Sequence, residues 1–317
     1  MNFDTLEIKT TRLDVPVVFF IFNRPDTTEL VFNEIAKVKP KKLFVISDGP
    51  RLNKLDELDR VIQCRAIIDR VNWDCEVEKK YSESNLGCKV ALSSGLNWVF
   101  EQVPEAIILE DDCLPNPSFF RFCQEMLIKY RDDTRVGMIS GDNFQFNNSV
   151  SEFDYYFSRY CHIWGWATWR RAWKFYDVNI VNWPYLKSEN FLKSILNSKS
   201  NIQHWEKSFD MVFSGQLDTW DHQWTLACWQ NKMVSIMPRI NLISNIGFGN
   251  QATHTHGNSI YSKLRTKEMH FPVRHPKSIE IDEVADFYTA KNMFSNSIFR
   301  KILRRIILPY WYLLTKR

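Results

Sequence analysis

Three consecutive acids, Glu110-Asp111-Asp112, directly follow the apolar run 106–109. Carboxylates in such a row repel one another unless something positive lies among them. Mg²⁺ and Mn²⁺ take oxygen ligands and are commonly held by one or two carboxylates together with the phosphates of a substrate, so the cluster reads as a cation site. The plainer alternative is a solvated acidic turn. Arg24 and Lys89 stand where a strand or loop passes into a helix, a position that suits an anion, and are the organic cations placed to meet a diphosphate. Lys89 reads equally well as a surface lysine. No GxGxxG follows the first apolar run and no GxxxxGK followed by Ser or Thr occurs, so a glycine-rich phosphate cradle is missing.

The elements that must carry these residues are legible in the pattern. Residues 15–22 (VPVVFFIF) form a nearly unbroken apolar, β-branched run, which predicts a strand buried on both faces and ended by the loop Asn23-Arg24-Pro25-Asp26. Asp26 is placed to cap a helix running to about residue 38, and residues 42–47 read as the next buried strand before the turn Asp48-Gly49-Pro50. A helix over 55–71, a short strand over 75–81, a helix over 87–101 and a strand over 106–109 follow. Asn116-Pro117 then supplies an N-cap and a first-turn proline for a helix to about residue 130. This alternation predicts an α/β fold with a mostly parallel, Rossmann-like sheet flanked by helices, and such sheets bind ligands at the carboxyl ends of their strands. The three acids stand at such an end.

The order of motifs resembles a known family. Asn23-Arg24-Pro25 after the first strand, Ser47-Asp48 after the second, Asn85-Leu86-Gly87-Cys88-Lys89 before the third helix and then Glu110-Asp111-Asp112 look like the GT-A nucleotide-diphospho-sugar transferases. Within these, the chain most resembles the N-acetylglucosaminyltransferase I family and a bacterial group of family-2-like glycosyltransferases, over about residues 15–280. The resemblance implies that Asp48 bonds the donor's base, Arg24 contacts the nucleotide, Asp111 holds the ribose, Asp112 ligates the metal and Glu110 shapes the strand end. Residues 163–169 (IWGWATW) resemble the family's loop-and-helix segment beside the donor sugar. Residues 220–224 (WDHQW) resemble the segment carrying its base, which makes Asp221 the base by resemblance; as a residue alone it could equally cap a helix beginning near His222. Residues 246–249 (IGFG), followed by 252–256 (ATHTH), resemble a late segment with a histidine near the metal, which implies His254, with His256 as its substitute.

On that resemblance the chain divides into a lead-in over 1–13, a nucleotide-sugar-binding half over 14–145, a catalytic and acceptor half over 146–285 and a basic tail over 286–317. The implied activity is an inverting, Mn²⁺- or Mg²⁺-dependent hexosyl or N-acetylhexosaminyl transfer from a nucleotide diphosphate sugar, a UDP-sugar first. The acceptor would be a glycan or a lipid-linked glycan in surface polysaccharide synthesis. Two other classes compete. A nucleotidyltransferase would carry a GGxGTRL-like loop where this chain has Asn23-Arg24-Pro25, and a non-catalytic glycan-binding protein could keep the fold without turnover.

Composition bounds the rest. With 44% apolar and 25% charged residues, the chain is that of a globular protein without low-complexity tracts. Its net charge of +4 is concentrated in the tail: 294–317 hold six Lys/Arg and no acid, and the remaining 293 residues hold 35 Lys/Arg against 37 Asp/Glu. A body so balanced argues against nucleic acid as a partner. The first 14 residues carry acids and no apolar core of a signal peptide, and seven cysteines without CxxC spacing suit reduced thiols, so a cytosolic placement is expected. In 299–317, apolar residues at helical spacing oppose Arg300, Lys301, Arg304 and Arg305, an amphipathic pattern for either a membrane surface or a docked helix. Nine of the twelve tryptophans lie between Trp164 and Trp229. Trp166, Trp169 and Trp173 recur at helical spacing and suit a core, whereas Trp220 and Trp224, flanking the implied base, are candidates for an acceptor platform.

Overall fold

The computed structural model describes residues 12–146, 151–248 and 264–294. The first half alternates as its pattern requires: β1 (Val17–Ile21), α1 (Pro25–Val38), β2 (Lys42–Ser47), α2 (Glu57–Ile68), β3 (Glu76–Tyr81), α3 (Cys88–Gln102) and β4 (Glu105–Glu110). After β5 (Cys113–Pro115), α4 (Pro117–Lys129) and β6 (Val136–Ser140) come β7 (Tyr155–Ser158), β8 (Trp166–Trp169) and the short helices α5 (Arg170–Trp173) and α6 (Trp183–Ser188). Helices α7 (Lys199–Phe213) and α8 (Asp221–Gln230), strands β9 (Val234–Pro238) and β10 (Ile243–Asn245), and helix α9 (Glu283–Thr289) follow, with a 3₁₀ turn over Phe191–Ser194 and a π-helical turn over Ala290–Phe294.

Among the described residues, eight strands form one sheet in the order β3-β2-β1-β4-β8-β6-β9-β7, and β10 pairs with β5 beside it. β1 runs parallel to both β2 and β4, β2 parallel to β3, and β6 parallel to β9, while β8 is antiparallel to β4 and β6, and β7 antiparallel to β9. The sheet is therefore mostly parallel, and strands from the second half of the chain complete the sheet begun by the first.

Every residue of β1 is buried because both faces are covered. Val17, Phe19 and Ile21 pack with Val31 and Ile35 of α1, Ile68 of α2 and Phe119 of α4. The alternate residues Val18 and Phe20 pack with Leu92 and Leu96 of α3 and Trp224 of α8. Each such side chain contributes about 1.5–3 kcal/mol by leaving water. The charged edge strand β3 is only partly covered, with Val77 and Tyr81 packed against the core.

Several local expectations are corrected. Asp26 does not cap α1: Arg24 occupies the N-cap without a side-chain bond, Pro25 opens the helix, and Asp26 sits in the first turn where the helix dipole favours an acid. Asn116 does cap α4, accepting from the Ser118 N–H at 3.0 Å. Trp166 and Trp169 share no helix face: both lie on β8, where a separation of three residues sends them to opposite sides of the sheet, Trp166 into the core with Trp224 and Trp169 into the core with Leu127. Trp220 and Trp224 are themselves core. Trp220 stacks on Trp166 at 5.4 Å and Trp224 lies 5.2 Å from Trp173, so neither offers a face to an acceptor.

The boundary expected at 286 falls inside α9. Asp286 is buried there, accepting from Ser158 Oγ at 2.5 Å and pairing with Arg159 at 2.9 Å, which fastens α9 to the end of β7. No helix among the described residues is long and apolar enough to cross a membrane. The amphipathic pattern over 299–317 lies outside the described residues.

Candidate active site

The carboxyl ends of β1, β2 and β4 lie side by side, and the loops leaving them carry the candidate residues. From the β1 loop, the Phe22 N–H donates to Asp111 Oδ2 at 3.1 Å, and the Arg24 guanidinium reaches Asp111 Oδ1 at 2.5 Å and Asp112 Oδ2 at 2.8 Å. Burial opposes the guanidinium's charge, but Asp111 and Asp112 outweigh it and raise its proton affinity. Asp111 is 2% exposed, and its oxygens are committed to Phe22 and Arg24, so in this structure it joins the β1 and β4 loops rather than offering both oxygens to a ribose. Asp112 is more accessible than Asp111, and among the described residues its Oδ1 accepts only the Cys113 thiol, at 3.4 Å. Gly247 closes over this pair. A Cβ there would lie 2.2 Å from Asp112 Oδ2 and 2.6 Å from Arg24 Nη1, so the backbone approaches only because the residue is glycine.

Asp48 is a clasp. Its Oδ1 accepts the N–H groups of Gly49 and Leu86, both at 2.8 Å, and its Oδ2 accepts Asn85 Nδ2 at 2.9 Å and the Gly87 N–H at 3.1 Å. Four donors saturate the carboxylate, so the base contact implied for it would have to compete with the loop it holds. Gly49 permits the closure, since a Cβ there would stand 2.5 Å from the Ser84 backbone.

That clasp sets the start of α3. Gly87 takes the N-cap at φ +79° without a side-chain cap, so the first-turn N–H groups of the helix lack a side-chain acceptor. Lys89 is half-buried in this turn, and no ion pair or side-chain hydrogen bond holds its ammonium among the described residues. Cys88 is half-buried at the same helix start. Burial, then the carboxylates of Glu110, Asp221, Asp218 and Asp112, raise its thiol's proton affinity, so acids from β4 and from the α8 entry converge on this one point. A Cβ on Gly87 would come 3.1 Å from the exposed Asp218.

Asp221 is the first residue of α8 and not its cap; Trp220 holds the N-cap position without a side-chain bond. Its Oδ1 accepts the Thr219 hydroxyl and His222 Nδ1, the latter at 3.0 Å. Burial favours the neutral acid, but His222 and Thr219 prevail and hold it at about 2, below its ordinary 3.8. Glu110 moves the other way: burial, then Asp112 and Asp111, raise it, with Arg24 opposing.

Asp142, in the turn after β6, is fully buried. Its Oδ2 accepts the Trp164 N–H at 2.8 Å while Oδ1 has no partner among the described residues, and burial raises the carboxyl's proton affinity well above the ordinary value. Above it Trp164 meets Phe144 at 5.1 Å and Phe248 at 5.7 Å, both edge to face, and Phe144 meets His162 at 4.6 Å. Half-buried Trp164, rather than Trp220 or Trp224, carries the aromatic surface at this edge of the sheet.

Among the described residues no group of three or more His, Cys, Asp or Glu converges as a preformed metal cage. His254 and His256 lie outside the described residues. What the structure presents is a surplus of carboxylates, with Arg24 on Asp112 Oδ2 and Glu110 raised in proton affinity by burial first and then by the charges of Asp112 and Asp111. That donor set fits a hard cation held by Asp112 and completed by substrate phosphates, once Arg24 has left the carboxylate.

Sequence patterns singled out Arg24, Asp48, Lys89, Glu110, Asp111, Asp112 and Asp221, and the fold brings them to one edge of one sheet. They did not single out Thr219, His222, Gly247 or Asp142. Adjacency to Asp221 was the available signal for the first two; the buried role of Asp142 depends on the β8 loop reaching it across 22 residues, which no local pattern shows.

No protein-family model and no curated protein matches the chain. Among solved structures, it is similar to the 4-diphosphocytidyl-2C-methyl-D-erythritol synthase of Anaerococcus prevotii, with 10% identity over 64% of this chain and 84% of that one, at a TM-score of 0.30. A UDP-glucose pyrophosphorylase complexed with UDP-glucose gives 9% identity over 41% of this chain and 64% of that one, at 0.25. Mouse xyloside xylosyltransferase 1 in its apo form gives 9% identity over 69% and 84%, at 0.32. Likenesses this weak decide neither fold nor activity, and both are read from the chain's own geometry.

Proposed function

We propose that the chain is an inverting glycosyltransferase of the GT-A type, moving a sugar from a nucleotide diphosphate donor to a glycan or lipid-linked acceptor. The observation that carries this reading is the pairing of Arg24 with Asp111 and Asp112 at the carboxyl ends of β1 and β4, with Asp218 beside the start of α3. A diphosphate entering so acidic a site needs positive charge, and the open N–H groups of α3, Lys89 and Arg24 are the chain's own supply. Bound Mg²⁺ or Mn²⁺ would add Lewis-acid stabilisation of the leaving nucleoside diphosphate, with Asp112 as its protein ligand.

The chain's residues then divide the work. Arg24 leaves Asp112 for the phosphates, and Asp48 keeps the loop 85–87 and hence the start of α3 in place. Asp221 Oδ2, to which no described residue donates, takes the proton of the acceptor hydroxyl. The acceptor oxygen bonds to the anomeric carbon as the bond to the diphosphate breaks, and the configuration inverts. Surface-glycan synthesis and a membrane contact through 299–317 belong to the same proposal.

The test is calorimetric titration of UDP into the protein with Mn²⁺ and with EDTA. Binding that needs the metal and is lost in Asp112→Asn supports the reading; equal affinity under both conditions removes the metal from it.

A further inference from the structure

Asp221 does not stand alone. Its Oδ1 is held from two directions, by the Thr219 hydroxyl of its own entry turn and by Nδ1 of His222 at 3.0 Å, and no described residue donates to Oδ2. His222 is fixed in turn. Its ring lies 5.5 Å from the Trp205 ring of α7, and its side chain is 22% exposed, against 35% for Asp221. The charged and titratable groups around the pair come from several elements: His204 on α7, Asp218 before α8, Cys88 on α3, Glu110 on β4, Cys161 in the loop after β7, and Tyr176. His204, adjacent to Trp205, is kept neutral by burial and by His222, so it adds no competing charge at neutral pH.

We infer that His222 is a positioning residue for Asp221, fixing the carboxylate through Oδ1 so that Oδ2 faces the acceptor, and that the two side chains titrate as one unit. This rests on the reading of Asp221 as the base. The chemical consequence follows from the two charge states of the imidazole. Charged, His222 stabilises the carboxylate so strongly that Asp221 is a poor proton acceptor. Neutral, it still donates Nδ1–H to Oδ1 but no longer withdraws the base's affinity for a proton, so transfer quickens as His222 loses its charge. Burial works against the imidazolium, yet the neighbouring carboxylate outweighs it and raises the ring's proton affinity, which places this change at or above the ordinary histidine range of about 6.5.

Two measurements test it. The first is an NMR titration of the His222 ring in the full chain and in Asp221→Asn: the midpoint should fall by about one unit, a tenfold loss of proton affinity, when the carboxylate is removed. The second is the pH profile of sugar transfer. The wild-type rate should climb through the His222 midpoint, whereas His222→Asn, which offers a non-titrating amide N–H, should lose that limb and retain a measurable rate. A His222 midpoint identical in both proteins, or the same rising limb in wild type and His222→Asn, overturns the inference. Absence of turnover on any nucleotide sugar would sink the transferase reading instead, and the NMR titration would still decide whether the pair exists.

Discussion

Arg24 and Asp112 are joined by an ion pair of 2.8 Å that occupies one oxygen of the carboxylate proposed to hold a divalent cation. The same guanidinium holds Asp111 at 2.5 Å, so one positive charge bridges two acids. Arg24→Met should therefore act in two ways. Leaving Asp111 buried without its partner should cost about 3 kcal/mol of stability near neutral pH. The vacated Asp112 should bind Mn²⁺ without nucleotide about tenfold more tightly than wild type does, because a charge-assisted bond no longer competes. Thermal melts with and without Mn²⁺, and the paramagnetic signal of free Mn²⁺, report both; unchanged metal affinity would mean that Arg24 does not guard the site.

Asp48 is expected to matter for folding of the site more than for contact with a base. Asp48→Ala removes the acceptor of four donors, three of them backbone N–H groups. The loss should be about 2–4 kcal/mol, at about 1 kcal/mol per hydrogen bond, measured by urea unfolding. Hydrogen exchange at Leu86 and Gly87 should quicken far more than in β1. Unaltered exchange at those two amides would refute the clasp.

Gly247→Ala tests the approach of the late loop to the acids. Its Cβ would fall within 2.2 Å of Asp112 Oδ2, so either the loop or the ion pair must shift. Nucleoside diphosphate affinity should drop about tenfold, corresponding to about 1.4 kcal/mol, while the melting midpoint moves by only a few degrees. Wild-type affinity in this variant would place the substrate elsewhere.

The Asp221–His222 pair also predicts a stability profile. Asp221 has its folded proton affinity depressed, so its contribution is present above its ordinary 3.8 and is lost as pH falls toward about 2. His222 has its raised, so its contribution is full below the ordinary histidine value and is lost as pH rises through the folded one. The stability difference between wild type and Asp221→Asn should thus be larger at pH 5 than at pH 8. Urea midpoints at the two pH values check this, and an equal difference at both would deny the pairing.

The parts of the fold legible in the sequence are those where one local rule decides. Residues 15–22 and 43–46 are apolar throughout because parallel strands in the middle of a sheet are covered on both faces, and they lie in β1 and β2. Asn116-Pro117 announced α4 through cap chemistry alone. The tryptophans misled because a spacing of three residues fits a helix face, whereas β8 lies between β4 and β6 and uses Trp166 and Trp169 to fill both cores at once. At the site, the sequence showed which acids cluster but not which are already occupied: Asp48 and Asp111 look as free as Asp112 until the backbone donors of residues 22 and 86–87 are brought to them by the fold.

Transfer from a nucleotide sugar is measured most directly as release of nucleoside diphosphate from a panel of UDP-, GDP- and CDP-sugars, with Mn²⁺ and with a glycan acceptor. Wild type should release diphosphate from at least one donor, with UDP-sugars first. Asp112→Asn and Asp221→Asn should each lower the rate by about 10²-fold or more, the usual scale for losing a general base or an electrostatic stabiliser. No release from any donor, or release that survives both substitutions, would contradict the assignment of this site to glycosyl transfer.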